Sequence, residues 1–122
     1  ANYGYWAPDL DILRNQILSG DKESFRLAYR LLEKSDGGLL EELIAMLGKS
    51  IRVQPELFLR EMASLLPKPR MLTSILMSPG LEYVDRPEAQ RYEIEMRRKA
   101  LASIKDEKLK EQKDKCLMLM AK

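Results

Sequence analysis

Short amphipathic helix patterns follow one another along this chain, each closed by Gly or Pro, with no strand pattern between them. Between Asp21 and Lys34, Phe25, Ala28, Tyr29 and Leu32 fall at i, i+3, i+4 and i+7. Between Leu39 and Lys49, Leu40, Leu43, Ile44 and Leu47 repeat that spacing. It gathers apolar side chains into one stripe of an α-helix.

The breaks set the remaining elements. Asp9 is placed to cap a first helix to about Ser19, with Leu10, Leu13, Ile17 and Leu18 inward. Gly20 ends it, and Asp21 can cap the second. The third helix covers about Leu39–Lys49, with Gly48 near its end. Pro55 opens a fourth running to Leu66, Pro67-Lys68-Pro69 stops it, and a fifth covers about Arg70–Met77. Asp85 and Glu88 have capping-box spacing around Pro87. From there a last helix can run beyond Ile104, with Ala89, Tyr92, Met96 and Ala100 on one face and Ile94, Leu101 and Ile104 on another.

The prediction is an all-α protein: an irregular helical bundle or small α–α superhelix of five to six helices with a long charged C-terminal helix. Residues 1–104 form a helical domain with an aromatic N-terminal arm. Residues 105–122 form a charged helical extension with an apolar end. The predicted core includes Phe25, Tyr29, Leu32, Leu40, Leu43, Ile44, Leu47, Phe58 and Met62.

A chain of 122 residues with 45% hydrophobic content suffices for one domain with a real core. The net charge is only +2, but it is unevenly spread: residues 1–85 carry −2 and residues 86–122 carry +4. No apolar run approaches the roughly 18 residues that would span a bilayer. Ala1 at the start fits removal of an initiator Met, trimming, or signal-peptide cleavage. A cytoplasmic location and export both remain open.

Histidine is absent, which removes the commonest general base and metal ligand. The single cysteine, Cys116, forms no internal disulfide and has no histidine to activate it. The paired carboxylates Asp9/Asp11, Glu41/Glu42 and Glu93/Glu95 belong to helix starts or polar faces more readily than to a catalytic dyad. Cys116, Met118 and Met120 offer soft sulfur at alternating positions, the one hint of a copper site, and a hydrophobic terminal turn explains them better. Arg97-Arg98-Lys99 and Lys105, Lys108, Lys110, Lys113 and Lys115 would suit phosphates, but the acidic residues among them suit a solvated, salt-bridged helix better.

No catalytic residue, metal ligand or cofactor is therefore assigned. The leading expectation is a non-enzymatic helical protein–protein interaction module or assembly subunit, whose partner is another protein or a second copy of itself. Its candidate contact residues are the apolar ends and the one large apolar residue of the charged stretch 105–115: Tyr3, Tyr5, Trp6, Leu109, Leu117, Met118, Leu119 and Met120. The rival is a small enzyme or enzyme accessory subunit using carboxylates and lysines in an interhelical cleft. Two or more buried ionisable groups converging on a pocket would favour the rival. Nucleic-acid binding through the basic C-terminal helix ranks third.

Overall fold

The computed structural model describes residues 9–121, apart from the side chain of Leu81. The candidate residues Tyr3, Tyr5 and Trp6 lie outside the described residues. Within them the protein is all-helical, with seven α-helices: α1 (Leu10–Leu18), α2 (Lys22–Glu33), α3 (Gly37–Val53), α4 (Pro55–Leu65), α5 (Pro69–Met77), α6 (Pro87–Ala102) and α7 (Lys110–Met120). Short 3-10 turns, Leu81–Tyr83 and Glu107–Leu109, precede the last two.

The cap expected at Asp9 is present: its carboxylate accepts the N–H groups of Asp11 and Ile12. Asp21 precedes α2, but its carboxylate accepts the Ser24 hydroxyl instead of a helix N–H. The capping box at Asp85 and Glu88 does not form. Arg86 is the cap position, and Gln90 secures the approach by donating to the carbonyls of Tyr83 and Val84 at 2.6 and 3.1 Å.

Helix α3 is longer than expected, and Gly48 lies inside it. It packs against α1, α2, α4, α5 and α6, so it forms the axis of an irregular bundle. Seven of the nine predicted core residues are buried; Leu40 and Ile44 are half-buried on its outer turns. Phe25 of α2 and Phe58 of α4 meet edge to face, centroids 6.1 Å apart. Beside them the buried Glu61 accepts from Arg26 Nε at 2.6 Å, tying the same two helices.

The long charged C-terminal helix is corrected. The α6 helix stops at Ala102, and Asp106 caps the following turn by accepting the Lys108 N–H at 2.9 Å. The chain reverses there, which splits the expected sixth helix in two. The physical reason is a sparse stripe. Leu109, Cys116 and Met120 fall at i, i+7 and i+11, and all three are buried in the same core as the earlier helices. Helix α7 thereby packs on α4, α5 and α6. The two helices also cap one another. Lys113 Nζ donates to the Ile104 carbonyl at the end of α6 at 2.7 Å, and Arg98 Nη2 donates to the Met120 carbonyl at the end of α7 at 2.9 Å.

A candidate binding face around Arg52 and Glu93

The inward stripe of α6 is half charged. Glu93, Arg97 and Leu101 are buried, with Ile104 just beyond, whereas Tyr92 is 60% exposed. Of the two apolar stripes expected on this helix, Ile94, Leu101 and Ile104 do pack inward; the other is corrected, because Ala89, Met96 and Ala100 are only half-buried and the carboxylate–guanidinium pair takes the central place.

Arg97 is fully buried and is the largest such side chain. Its Nε donates to Glu93 Oε2 at 2.9 Å, one turn earlier. Its Nη1 donates to the carbonyls of Leu76 and Ile75 at 3.0 and 3.3 Å. Those carbonyls close α5, where a helix has no N–H donors of its own left to offer. Gly48 makes the space. A β-carbon there would stand 2.9 Å from the Ile75 oxygen and 3.0 and 3.1 Å from the two terminal nitrogens of Arg97. Burial presses the Arg97 guanidinium below its ordinary value, and Glu93 opposes that pressure; the group stays charged. Arg97 Nη2 is buried and has no partner.

Glu93 carries the network to the surface. Its other oxygen, Oε1, accepts from Arg52 Nη1 of α3 at 2.7 Å. The Arg52 guanidinium lies 5.8 Å from the Tyr92 ring centroid, within cation–π range. The hydrogen bond to Glu93, together with the charge of that carboxylate, raises Arg52 above its ordinary value.

Arg52 and Glu93 border a cleft of about 370 Å³. Leu18, Val53, Pro79 and Tyr83 supply its apolar wall; Lys49, Arg52, Glu82 and Glu93 supply its charges. Lys49 Nζ and Glu82 Oε1 are 2.6 Å apart, and this pair also borders a second hollow of about 210 Å³ beside α1. Burial works to raise the Glu82 carboxyl, but the Lys49 hydrogen bond, a backbone N–H and nearby cations leave it below the usual carboxylate value. Gly80, at φ +117°, lets Glu82 turn back: a β-carbon there would lie 2.9 Å from the Glu82 carboxylate. The lining charges balance, two cations against two carboxylates, and the buried Arg97 behind Glu93 adds a third cation to the network.

Among the described residues, the contact residues expected from sequence do not gather on this face. Leu109 and Met120 are buried, Leu117 and Leu119 are half-buried against the core, and Met118 alone is well exposed, at 68%. On α7, Cys116 and Met120 share the buried face while Met118 is exposed, so the three sulfurs do not converge. Burial pushes the Cys116 thiol up to about 11. Among the described residues no group of three or more Cys, Asp or Glu side chains is placed to hold a metal ion. The basic run also divides: Arg97 is buried, Arg98 pairs with Glu95 and caps α7, and Lys99, Lys105, Lys108, Lys110 and Lys115 are exposed. No described helix is long and apolar enough to cross a membrane.

Sequence reasoning passed over Arg52, Val53 and Tyr83, and placed Tyr92 on an apolar stripe instead of a binding face. One signal was present. Glu93, Arg97 and Leu101 follow at i, i+4 and i+8, so a charged pair shares the face of a core leucine. Comparison with protein families, with curated proteins and with solved structures found no match to this chain.

Proposed function

We propose that this protein is a non-enzymatic helical module for protein–protein interaction, and that it docks a protein partner on the face formed by Arg52, Val53, Tyr83 and Tyr92. The observation that carries this reading is the exposed Tyr92 ring against Arg52, beside a Val53 that is 55% exposed, with Arg52 held from beneath by buried Glu93. Tyrosine and arginine are the residues on which interface energy concentrates, above all where they are preorganised.

The cleft does collect ionisable groups, with Glu93 buried among them, part of what an enzyme would need. Its carboxylates are nonetheless occupied: Glu93 by two guanidinium groups, Glu82 by an ammonium. A general acid needs a carboxyl kept protonated near neutrality, whereas Lys49 holds Glu82 in the opposite direction. This favours charges that shape a surface over charges that transfer protons.

The test is calorimetric binding of a purified partner, first recovered by affinity capture, to the wild-type chain and to variants. Tyr92→Ala should weaken binding about tenfold or more, and Val53→Asp should abolish it. Met118→Asp, outside the cleft, should leave it unchanged. A partner that ignores Tyr92 and Val53, or a reaction that requires Glu93, would overturn the reading. A second copy of the chain is the alternative occupant; sedimentation of Val53→Asp against wild type decides whether the face serves self-association.

A further inference from the structure

Arg97 presents a fork with one prong empty. Its Nε is bonded to Glu93 Oε2, while the adjacent Nη2 is buried without an acceptor. Arginine and carboxylate pair best side-on, through two parallel N–H···O bonds. Here the second oxygen, Oε1, is turned to Arg52 at 2.7 Å. One buried carboxylate thus serves two guanidinium groups, and the deeper one is left short. An unsatisfied buried donor is unfavourable. The Arg52 side chain, by contrast, is 38% exposed and has water as an alternative partner.

We propose that Arg52 is an exchangeable arm for a carboxylate on an acidic protein partner. The partner's carboxylate takes Arg52 from Glu93, and Glu93 then closes on Arg97 with both oxygens, satisfying Nη2. This deepens, and rests on, the reading of the Arg52–Tyr92 face as a docking surface. The charges lining the cleft balance, but the network they belong to carries one cation more than carboxylates, the buried Arg97 behind Glu93, so an added carboxylate balances the network. Tyr92 and Val53 border the same arm, so an acidic residue flanked by apolar ones fits best. The binding event is transmitted inward. Arg97 holds the closing carbonyls of α5 and lies against Gly48 of α3, so the exchange tightens the junction of three helices.

The test uses the full chain with nitrogen-15 arginine and carbon-13 glutamate, titrated with capped hexaglutamate at fixed ionic strength. Capped hexaglutamine is the control for peptide alone. Arg52 Nε, the Glu93 carboxyl carbon and Arg97 Nη2 should shift together with one midpoint, and the Arg97 Nη2 protons should exchange more slowly with water. Arg52→Gln should weaken hexaglutamate binding about tenfold or more. The same substitution, without peptide, should move the Arg97 Nη2 signal to its peptide-bound position, because Glu93 is already released. Shifts at Arg52 with Arg97 unmoved would overturn the exchange. Hexaglutamate that perturbs only the lysines of α7, or fails to bind, would overturn the acidic partner. In either case the docking reading survives if Tyr92→Ala still weakens the captured partner, so the two failures are distinguishable. Should Arg52→Gln fold poorly, the wild-type titration decides alone.

Discussion

Gly48 and Arg97 are packed so closely that a β-carbon on Gly48 would stand 3.0 Å from Arg97 Nη1 and 2.9 Å from the Ile75 oxygen held by that nitrogen. A glycine inside a helix is unfavourable by about 1 kcal/mol relative to alanine, yet here no side chain fits. Gly48→Ala should therefore destabilise the protein by about 1–3 kcal/mol, as overpacking against backbone does. Urea unfolding followed by circular dichroism checks this. A variant as stable as wild type would mean that α5 moves aside at little expense.

Leu66 predicts a change of the opposite sign. It ends α4 at φ 52° and ψ 56°, a left-handed conformation, with its side chain 74% exposed. The conformation is unfavourable for a leucine by about 1–2 kcal/mol, and little burial offsets it. Glycine relieves that strain but gives the unfolded chain more freedom. Leu66→Gly should stabilise by roughly 0.5–1 kcal/mol, seen as a higher urea midpoint at unchanged slope. A lower midpoint would show that the leucine side chain makes a contact the fold needs.

A chain ending at Lys105 should lose cooperative folding rather than merely shed a tail. It would remove Leu109, Cys116 and Met120 from the core and uncover α4, α5 and α6 where α7 lies. It would also leave the Ile104 carbonyl without Lys113. Calorimetry of that shortened chain should show a broad transition or none, and retention of a sharp one would contradict the packing of α7.

The buried thiol gives a pH dependence. Burial raises Cys116 from 9.0 to about 11, against the opposing pull of Gln112 and Lys115. The folded chain therefore holds this proton more tightly than the unfolded chain. Its contribution is complete below pH 9 and is lost as pH rises through about 11, amounting to about 2–3 kcal/mol. Tyr29, which burial and Glu33 also raise, adds to the alkaline loss. Cys116→Ala should flatten the decline between about pH 9 and pH 11 without abolishing it. Equal slopes in both proteins would place the thiol in contact with water.

The fold was legible where the apolar stripes are dense. Phe25, Ala28, Tyr29 and Leu32 bury the predicted face of α2, and Pro55 opens α4 as expected. The stripe that docks α7 has only three buried members across twelve positions, and the turn that Asp106 caps ahead of it lies in a run without glycine or proline. It therefore looked like a continuation of α6. The candidate face was less legible still. Arg97 stands between Arg91 and Lys99 in a basic run, and nothing local distinguishes a buried arginine from an exposed one. What buries it is Gly48, 49 positions earlier, together with two α5 carbonyls.

The central claim is that Glu93 joins the core to the binding face, so that Arg52 and Arg97 depend on one another without a direct bond. A double-mutant cycle on Arg52→Gln and Arg97→Met, read by urea unfolding, tests it most directly. With either cation removed, Glu93 keeps the other; with both removed, a buried carboxylate has none. The account predicts that the double variant loses at least about 1–2 kcal/mol more than the two single losses added together. Losses that add to within about 0.5 kcal/mol would contradict it.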